Sequence, residues 1–285
     1  MHTFTDMSYR FKFSPLVVVA ALAVAACSAP AEPDDADESE SATSQVGTLT
    51  FSAIGVGVSR ARLSDAPGVF IAYGGYTARR AYSEGWVEAL SPRLRELGIG
   101  TVYAVAGPRD AAYAGREIAN SAITAELVAR GASVSKVVVA AHSSGAFVGF
   151  ELLRQLDLAG ALAEGGALHH KLSFFDLDGS GQTLPTETLS DIHMYAVLAR
   201  DPTLPYGDSA NAWAMRALAE RPDVELITIE VRGTGCVSGA RWCLHDAVVT
   251  TRPHNPYSYD LSRDYRRFGG ERRVVDGYLD ALEGR

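Results

Sequence analysis

The sequence predicts an α/β protein, built on a mostly parallel central sheet with helices on both faces. From residue 47 onward, short apolar runs rich in valine, isoleucine and tyrosine alternate with alanine-rich or amphipathic stretches of helical length. This alternation is typical of repeated βαβ units. Within the run Lys136 to Ala141, the residues from Val137 onward are continuously apolar, as expected for a central strand that is covered on both faces. We therefore expect one domain over residues 47–285.

The predicted elements follow one another regularly along the chain. The strands are Gly47 to Val58, Gly68 to Tyr73, Gly100 to Val105, Lys136 to Ala141, Lys171 to Leu177, Ile192 to Ala199 and Val224 to Val231. The helices are Tyr82 to Leu97, Ala112 to Arg130, Gly145 to Leu156, Ala210 to Arg221 and Tyr259 to Leu282. In such sheets the reactive groups collect at the carboxyl ends of the strands, so the residues that follow each strand are the candidates for chemistry.

The composition excludes several classes of protein. Hydrophobic residues make up 47% of the 285 residues and charged residues 21%, which is typical of a globular chain rather than a disordered or multi-span membrane protein. A net charge of −8 argues against binding to nucleic acid, which requires a basic face. Much of this negative charge lies between Ser28 and Gln45, where acids occur without any base, so it says little about a substrate.

The first 46 residues have the pattern of an export and attachment segment. Two basic residues precede the apolar run Leu16 to Ala26, which predicts a signal peptide over residues 1–26. The run is shorter than the roughly 20 apolar residues that a spanning helix needs. Its end resembles the lipobox of bacterial lipoproteins, which implies a lipidated Cys27 anchored to the cell envelope, periplasmic or on the outer surface; ordinary signal-peptidase cleavage is the alternative. Residues 27–46 would then form an acidic, disordered tether.

The turn after the central strand carries the most specific motif. Ala141-His142-Ser143-Ser144-Gly145 joins this strand to a helix and resembles the nucleophile elbow of the α/β-hydrolase fold, with alanine in place of the first glycine. Small residues flank the serine because the turn brings neighbouring backbones close together. The resemblance implies a serine hydrolase, similar to esterases and lipases, in which Ser143 is the nucleophile and no cofactor is needed. A serine that only caps a buried helix is the alternative.

The resemblance also implies an oxyanion hole near the first parallel strand. That strand ends in Tyr73-Gly74-Gly75-Tyr76, and in the family the corresponding loop donates one backbone amide to the oxyanion. Gly75 or Tyr76 would provide this amide, and Ser144 would provide the second. A simple glycine turn at a strand end is the alternative interpretation.

The family places its catalytic histidine after the last strand, where this sequence offers two. His245 precedes a short apolar stretch suited to a helix start and is preferred over His254, which lies in a loop rich in proline and asparagine. Cys236 and Cys243 lie just before His245. In an exported chain, once Cys27 is lipidated, these two cysteines predict a disulfide.

Two aspartates at strand ends compete for the role of orienting the histidine. Asp201 holds the usual position of the family and is slightly preferred, while Asp178 lies one strand earlier. The earlier loop also matches part of the EF-hand calcium pattern, through Asp176, Asp178, Ser180 and Glu187. A strand rather than a helix precedes that loop, so we expect no metal there.

These observations predict a tethered serine hydrolase that cleaves an ester or related acyl bond of a small-molecule or lipid substrate at the cell envelope. Peptidases and acyltransferases share the fold, so an amide substrate or another acceptor is an alternative. A second class of function is a surface binding module that keeps the fold without the chemistry.

Overall fold

A nine-stranded mixed sheet organises this protein. The computed structural model describes residues 43–46, 48–108, 116–179, 192–204, 206–230, 244–246, 248–249 and 274–283. All of these residues belong to the second of the two units into which the chain divides, Asp35–Arg285. Helices cover both faces of the sheet, which confirms the predicted fold class.

The elements follow the predicted order. The strands are β1 (Thr43–Val46), β2 (Leu49–Gly55), β3 (Val58–Arg62), β4 (Gly68–Tyr73), β5 (Ile99–Val105), β6 (Val137–His142), β7 (Leu172–Leu177), β8 (Ile192–Arg200) and β9 (Val224–Glu230). The α-helices are α1 (Arg80–Glu96), α2 (Arg116–Arg130), α3 (Gly145–Leu158) and α4 (Ala212–Leu218), and 3-10 helices cover Gly131–Ser133 and Val274–Leu282. The bounds of β4 to β9 lie within one residue of those predicted.

The structure differs from the prediction at both ends of the described chain. The single strand predicted over Gly47 to Val58 is a hairpin, because the chain turns at Gly57, whose φ of 67° suits glycine. Strand β1 lies within the segment predicted to be a tether and pairs antiparallel with β2. Near the other end, Val274–Leu282 is a 3-10 helix rather than the end of an α-helix.

The strand order places a crevice beside β4. The order is β1-β2-β3-β5-β4-β6-β7-β8-β9, in which β1 to β3 are antiparallel additions and the strands from β5 to β9 are parallel. The chain leaves β4 to form β5 on one side and then returns to form β6 on the other. Ligands of such sheets bind outside the carboxyl ends of the strands at this reversal. The loops that follow β4 and β6 are therefore the expected location of a site.

Two apolar layers hold the sheet between its helices. On one face, α1 packs with residues such as Phe70 and Val138, together with the 3-10 helix Val274–Leu282. On the other face, α2, α3 and α4 pack with the alternate residues of the same strands, such as Val69 and Val139. All six residues of β6 are buried, as its continuous apolar run predicts. None of the helices within the described part of the chain combines the length and apolarity needed to cross a membrane.

Candidate active site

Ser143 occupies a strained turn between β6 and α3. Its φ is 54°, a left-handed value that is uncommon for residues other than glycine. The first residue of α3, Gly145, packs against the loop after β4, and a Cβ added to it would lie 2.4 Å from the carbonyl oxygen of Gly74. Only glycine fits at this position. Ala141, the small residue two positions before Ser143, is buried within β6. The turn geometry is therefore that of the elbow predicted from the sequence.

The glycine loop after β4 lies directly against this turn. A Cβ added to Gly75 would lie 3.2 Å from the Cβ of Ser143, so the loop backbone and the serine are in close proximity. Ser144 immediately precedes α3, and its amide is one of the helix-terminal N–H groups that have no acceptor within the helix. Tyr76 is half exposed. The backbone of the glycine loop and the start of α3 thus both adjoin Ser143.

His245 forms a buried hydrogen bond with Asp178. The Nδ1 atom lies 2.6 Å from Oδ2 of the carboxylate, and both residues are almost inaccessible to solvent. Burial lowers the pKa of His245, but the hydrogen bond and charge of Asp178, with the charge of Asp246, outweigh it and raise the pKa above its ordinary value. Buried apolar neighbours, Leu244 and Val248, anchor this short segment in the core.

Asp178 is held from a distant part of the chain. Its φ is 46°, so the chain turns sharply as soon as β7 ends. Ser209 donates its hydroxyl to Oδ1 at 2.6 Å, and the amide of Asn211 donates to Oδ2 at 3.2 Å. The side-chain amide of Asn211 also donates to the carbonyl oxygen of Asp178 at 2.8 Å. Sequence reasoning missed Ser209 and Asn211, although both are residue types that favour the start of a helix such as α4.

Asp201, the preferred acid in the sequence analysis, has a different role in the structure. Its Oδ1 accepts hydrogen bonds from the amide of Thr203 at 2.9 Å and from the hydroxyl of the same threonine at 2.6 Å. The carboxylate therefore closes the turn that follows β8, as aspartates often do. His245 donates its hydrogen bond to Asp178, which replaces Asp201 as the candidate acid.

His142, the residue before the serine, contacts the same histidine. Its Nε2 donates to the carbonyl oxygen of His245 at 3.1 Å, and the centroids of the two rings are 4.5 Å apart. Burial and the neighbouring His245 hold the pKa of His142 well below its ordinary value. The His142 ring is therefore a neutral hydrogen-bond donor.

The site also contains groups that could bind a cation. His142, His245 and Asp246 each offer one ligand atom within 4.8 Å of the others. However, Nδ1 of His245 and Nε2 of His142 are already in hydrogen bonds, which assigns these rings to the polar network. For the calcium pattern, Asp176 lies buried within β7 and both carboxylate oxygens of Asp178 accept hydrogen bonds. We therefore propose no metal in either place.

Several predicted residues lie outside the described part of the chain. They are the lipidation candidate Cys27, the disulfide pair Cys236 and Cys243, the alternative base His254, and Ser180 and Glu187 of the calcium pattern. The structure joins His245 to Asp178 by a hydrogen bond and places His245 against His142, the residue before Ser143. The loop around Gly75 lies against Ser143 itself.

The chain is similar to solved structures with which it shares low sequence identity. No protein-family model matches the chain, and no curated protein matches it. The chain is similar to TT1662 from Thermus thermophilus, with 15% identity over 66% of this chain and 88% of that chain and a TM-score of 0.37. It is similar to the dienelactone hydrolase-like promiscuous phosphotriesterase P91 from metagenomic libraries, with 15% identity, coverage of 69% and 81%, and a TM-score of 0.37. It is also similar to carboxyl esterase 2 of the fungus Tuber melanosporum, with 12% identity, coverage of 74% and 80%, and a TM-score of 0.39.

Proposed function

We propose that this protein is a serine hydrolase that cleaves an ester or a related acyl bond, with Ser143, His245 and Asp178 as its catalytic residues. The observation that carries the proposal is the buried hydrogen bond of 2.6 Å between His245 and Asp178, with His245 in contact with His142, the residue that precedes Ser143. A serine hydroxyl is a weak nucleophile until a histidine takes its proton. The third group, a carboxylate, fixes the tautomer and orientation of that histidine.

The reaction follows from this arrangement. As Oγ of Ser143 attacks the carbonyl carbon, its proton passes to Nε2 of His245 and the carbonyl oxygen becomes an oxyanion. The amides of Ser144 and of Gly75 or Tyr76 donate hydrogen bonds to that oxyanion. The imidazolium then protonates the departing alkoxide, which leaves an acyl group on Ser143. Water then attacks the acyl group as it gives a proton to His245. The bond between the acyl carbon and Oγ breaks, His245 returns the proton to Oγ, and the acid product leaves the regenerated serine.

The environment of His245 suits both halves of this cycle. The base must accept a proton and then give it up, which is most effective when its pKa lies close to the working pH. Asp178 raises the pKa of His245 against the effect of burial, and its negative charge stabilises the imidazolium that forms in the transition state. A low-dielectric setting strengthens this interaction between the two buried side chains.

The decisive test of the enzyme is covalent labelling. We expect a fluorophosphonate probe to label the full chain, and Ser143→Ala to abolish both labelling and the hydrolysis of short p-nitrophenyl esters. The matched control is Ser135→Ala, because Ser135 is an exposed serine just before the opposite end of β6. This substitution should leave labelling and ester hydrolysis unchanged. Absence of labelling and hydrolysis in the wild type would favour the second function class, a binding module that keeps only the fold.

We also propose that the protein is exported and lipid-anchored through Cys27. The support is the apolar run Leu16 to Ala26 that ends in this cysteine, followed by the acidic stretch up to residue 46. A diacylated and N-acylated cysteine carries enough methylenes for stable membrane attachment. In a bacterial host, wild-type chain should enter the detergent phase on fractionation, and Cys27→Ala should enter the aqueous phase. Recovery of both forms in the aqueous phase would contradict the anchor.

A further inference from the structure

We propose that His142 is a positioning residue, which fixes the backbone of the base His245 relative to the nucleophile Ser143. This inference rests on the proposed function, because it assigns a role within the same site. The geometry that supports it is the hydrogen bond of 3.1 Å from Nε2 of His142 to the carbonyl oxygen of His245. His142 itself touches neither substrate nor reacting atoms in this scheme.

Two hydrogen bonds hold His245 at two different points. Asp178 accepts from the ring at Nδ1, which sets the rotation of the imidazole. His142 donates to the main-chain carbonyl, which sets the position from which the side chain extends. A displaced backbone would carry the whole imidazole with it, and would therefore disturb both its bond to Asp178 and its approach to the serine hydroxyl. The two contacts are therefore complementary, and neither replaces the other.

The position of His142 in the chain makes it a suitable reference point. It is the last residue of β6 and is joined by one peptide bond to Ser143, so its ring and the nucleophile move with the same backbone. In the sheet, His142 is paired with Leu177, the residue before Asp178. All three proposed catalytic residues are thereby positioned from one pair of strand ends, although His245 is 103 residues away from His142 in sequence.

This role requires a particular protonation state. A carbonyl oxygen only accepts hydrogen bonds, so Nε2 of His142 carries a proton and, in the neutral ring, Nδ1 does not. That bare Nδ1 faces the glycine loop, 3.1 Å from where a Cβ on Gly75 would stand. The titratable groups nearby are His245 itself and, bonded or adjacent to it, Asp178 and Asp246. A neutral His142 adds no positive charge beside the imidazolium that forms on His245.

The test compares two substitutions that are matched in length. Gln in His142→Gln can place an amide N–H near the position of Nε2, whereas Met in His142→Met fills similar space without a donor. Because small misplacements of catalytic groups cost up to about 100-fold in rate, we expect the Met variant to lose about 10- to 100-fold in kcat with little change in KM. The Gln variant should stay close to the wild type. Equal losses in both variants, or no loss in the Met variant, would overturn the proposal.

A second measurement separates this inference from the proposed function. In the full chain labelled with ¹⁵N at histidine, the Nδ1 resonance of His245 reports its bond to Asp178 without any substrate. We expect this resonance to change in His142→Met and to be preserved in His142→Gln. If the Met variant does not fold, His142→Asn takes its place, since its amide mimics Nδ1 rather than Nε2. An unchanged resonance in the variant that lacks the donor would refute the positioning role. Failure of the fluorophosphonate probe to react with Ser143 would instead refute only the proposed hydrolase function.

Discussion

Asp178 and Asp201 follow neighbouring parallel strands, and both are buried, yet they have different surroundings. The exposed fraction is 0% for Asp178 and 1% for Asp201, so burial does not distinguish them. The partners of Asp178 are 31 to 67 residues away along the chain. Thr203, which donates two hydrogen bonds to the carboxylate of Asp201, is only 2 residues away from it. One aspartate joins distant segments into a site, while the other stabilises its own turn.

Backbone conformation accompanies this difference. Asp178 has a φ of 46°, which turns the chain abruptly at the end of β7. Left-handed residues other than glycine persist where the surrounding structure determines them and are concentrated at functional sites. Ser143, at the end of the adjacent strand, shares this feature with a φ of 54°. Two adjacent strand ends that carry left-handed polar residues, the buried Asp178 and the partly buried Ser143, thus identify the candidate site better than the identity of either residue alone.

Removal of the two carboxylates should have very different effects on catalysis. In Asp178→Asn the amide can no longer stabilise the imidazolium or hold the required tautomer of His245, so we expect kcat to fall by about 10³- to 10⁴-fold. Asp201→Asn should leave kcat close to that of the wild type. Hydrolysis of p-nitrophenyl acetate at saturating substrate measures both. A larger loss in the Asp201 variant would restore that residue as the acid.

The pH dependence should sharpen the same contrast. His245 must be neutral to act as a base, so kcat/KM should rise with pH through a pKa above the ordinary histidine value. In Asp178→Asn the main causes that raise this pKa are lost while burial still lowers it, so the residual activity should persist to lower pH. Asp201→Asn should leave the profile unchanged.

Whereas kcat/KM should rise with pH, the contribution of His245 to the stability of the fold should fall with pH. Its raised pKa means that the folded state binds the proton more tightly than the unfolded state, so the interaction with Asp178 stabilises the fold fully below the unfolded pKa. This contribution is lost as the pH rises through the folded pKa. The difference in free energy of unfolding between wild type and Asp178→Asn, measured by urea denaturation across this range, should therefore shrink as the pH rises. If this difference in free energy of unfolding grew with pH, the assignment of Asp178 as the partner that raises the pKa of His245 would be contradicted.

Loss of the donor to Asp178 should cause a smaller defect. Ser209→Ala removes the hydroxyl that lies 2.6 Å from Oδ1 of Asp178. A hydrogen bond to a charged group contributes about 1.5–3 kcal/mol, and part of this would appear as a drop of about tenfold in kcat. The matched control is Thr203→Val, which removes the corresponding hydroxyl from Asp201 and should not affect kcat. Equal effects of the two substitutions would show that Asp178 is not specially positioned.

The local motifs could be predicted from the sequence because the information that specifies them is contiguous. The continuous apolar run of β6 and the small residues around Ser143 determine the strand, the turn and the helix without distant help. The break between β2 and β3 at Gly57 was missed because the glycines Gly55 and Gly57 lie inside an otherwise apolar run and do not by themselves reveal a hairpin.

The choice between the two aspartates could not be made from the sequence. Both are short polar residues after a parallel strand, and both positions are compatible with a turn. What separates them is contact with His245 and with Ser209, and such contacts depend on how the whole chain folds. The pattern of an aspartate two residues before a threonine, as at Asp201 and Thr203, is the local signal that could have favoured a turn role.

The smallest predicted effect concerns stability alone. Asp201→Ala removes the acceptor of both Thr203 hydrogen bonds, and we expect the free energy of unfolding to fall by about 1–2 kcal/mol. Urea denaturation measures this loss, with Asp201→Asn as the control, because an asparagine can still accept through its side-chain oxygen and should lose less. Once folded, the Ala variant should have the kcat of the wild type, since the carboxylate that bonds to His245 is that of Asp178. A reduced kcat in fully folded Asp201→Ala would mean that the turn after β8 supports the site as well as the fold.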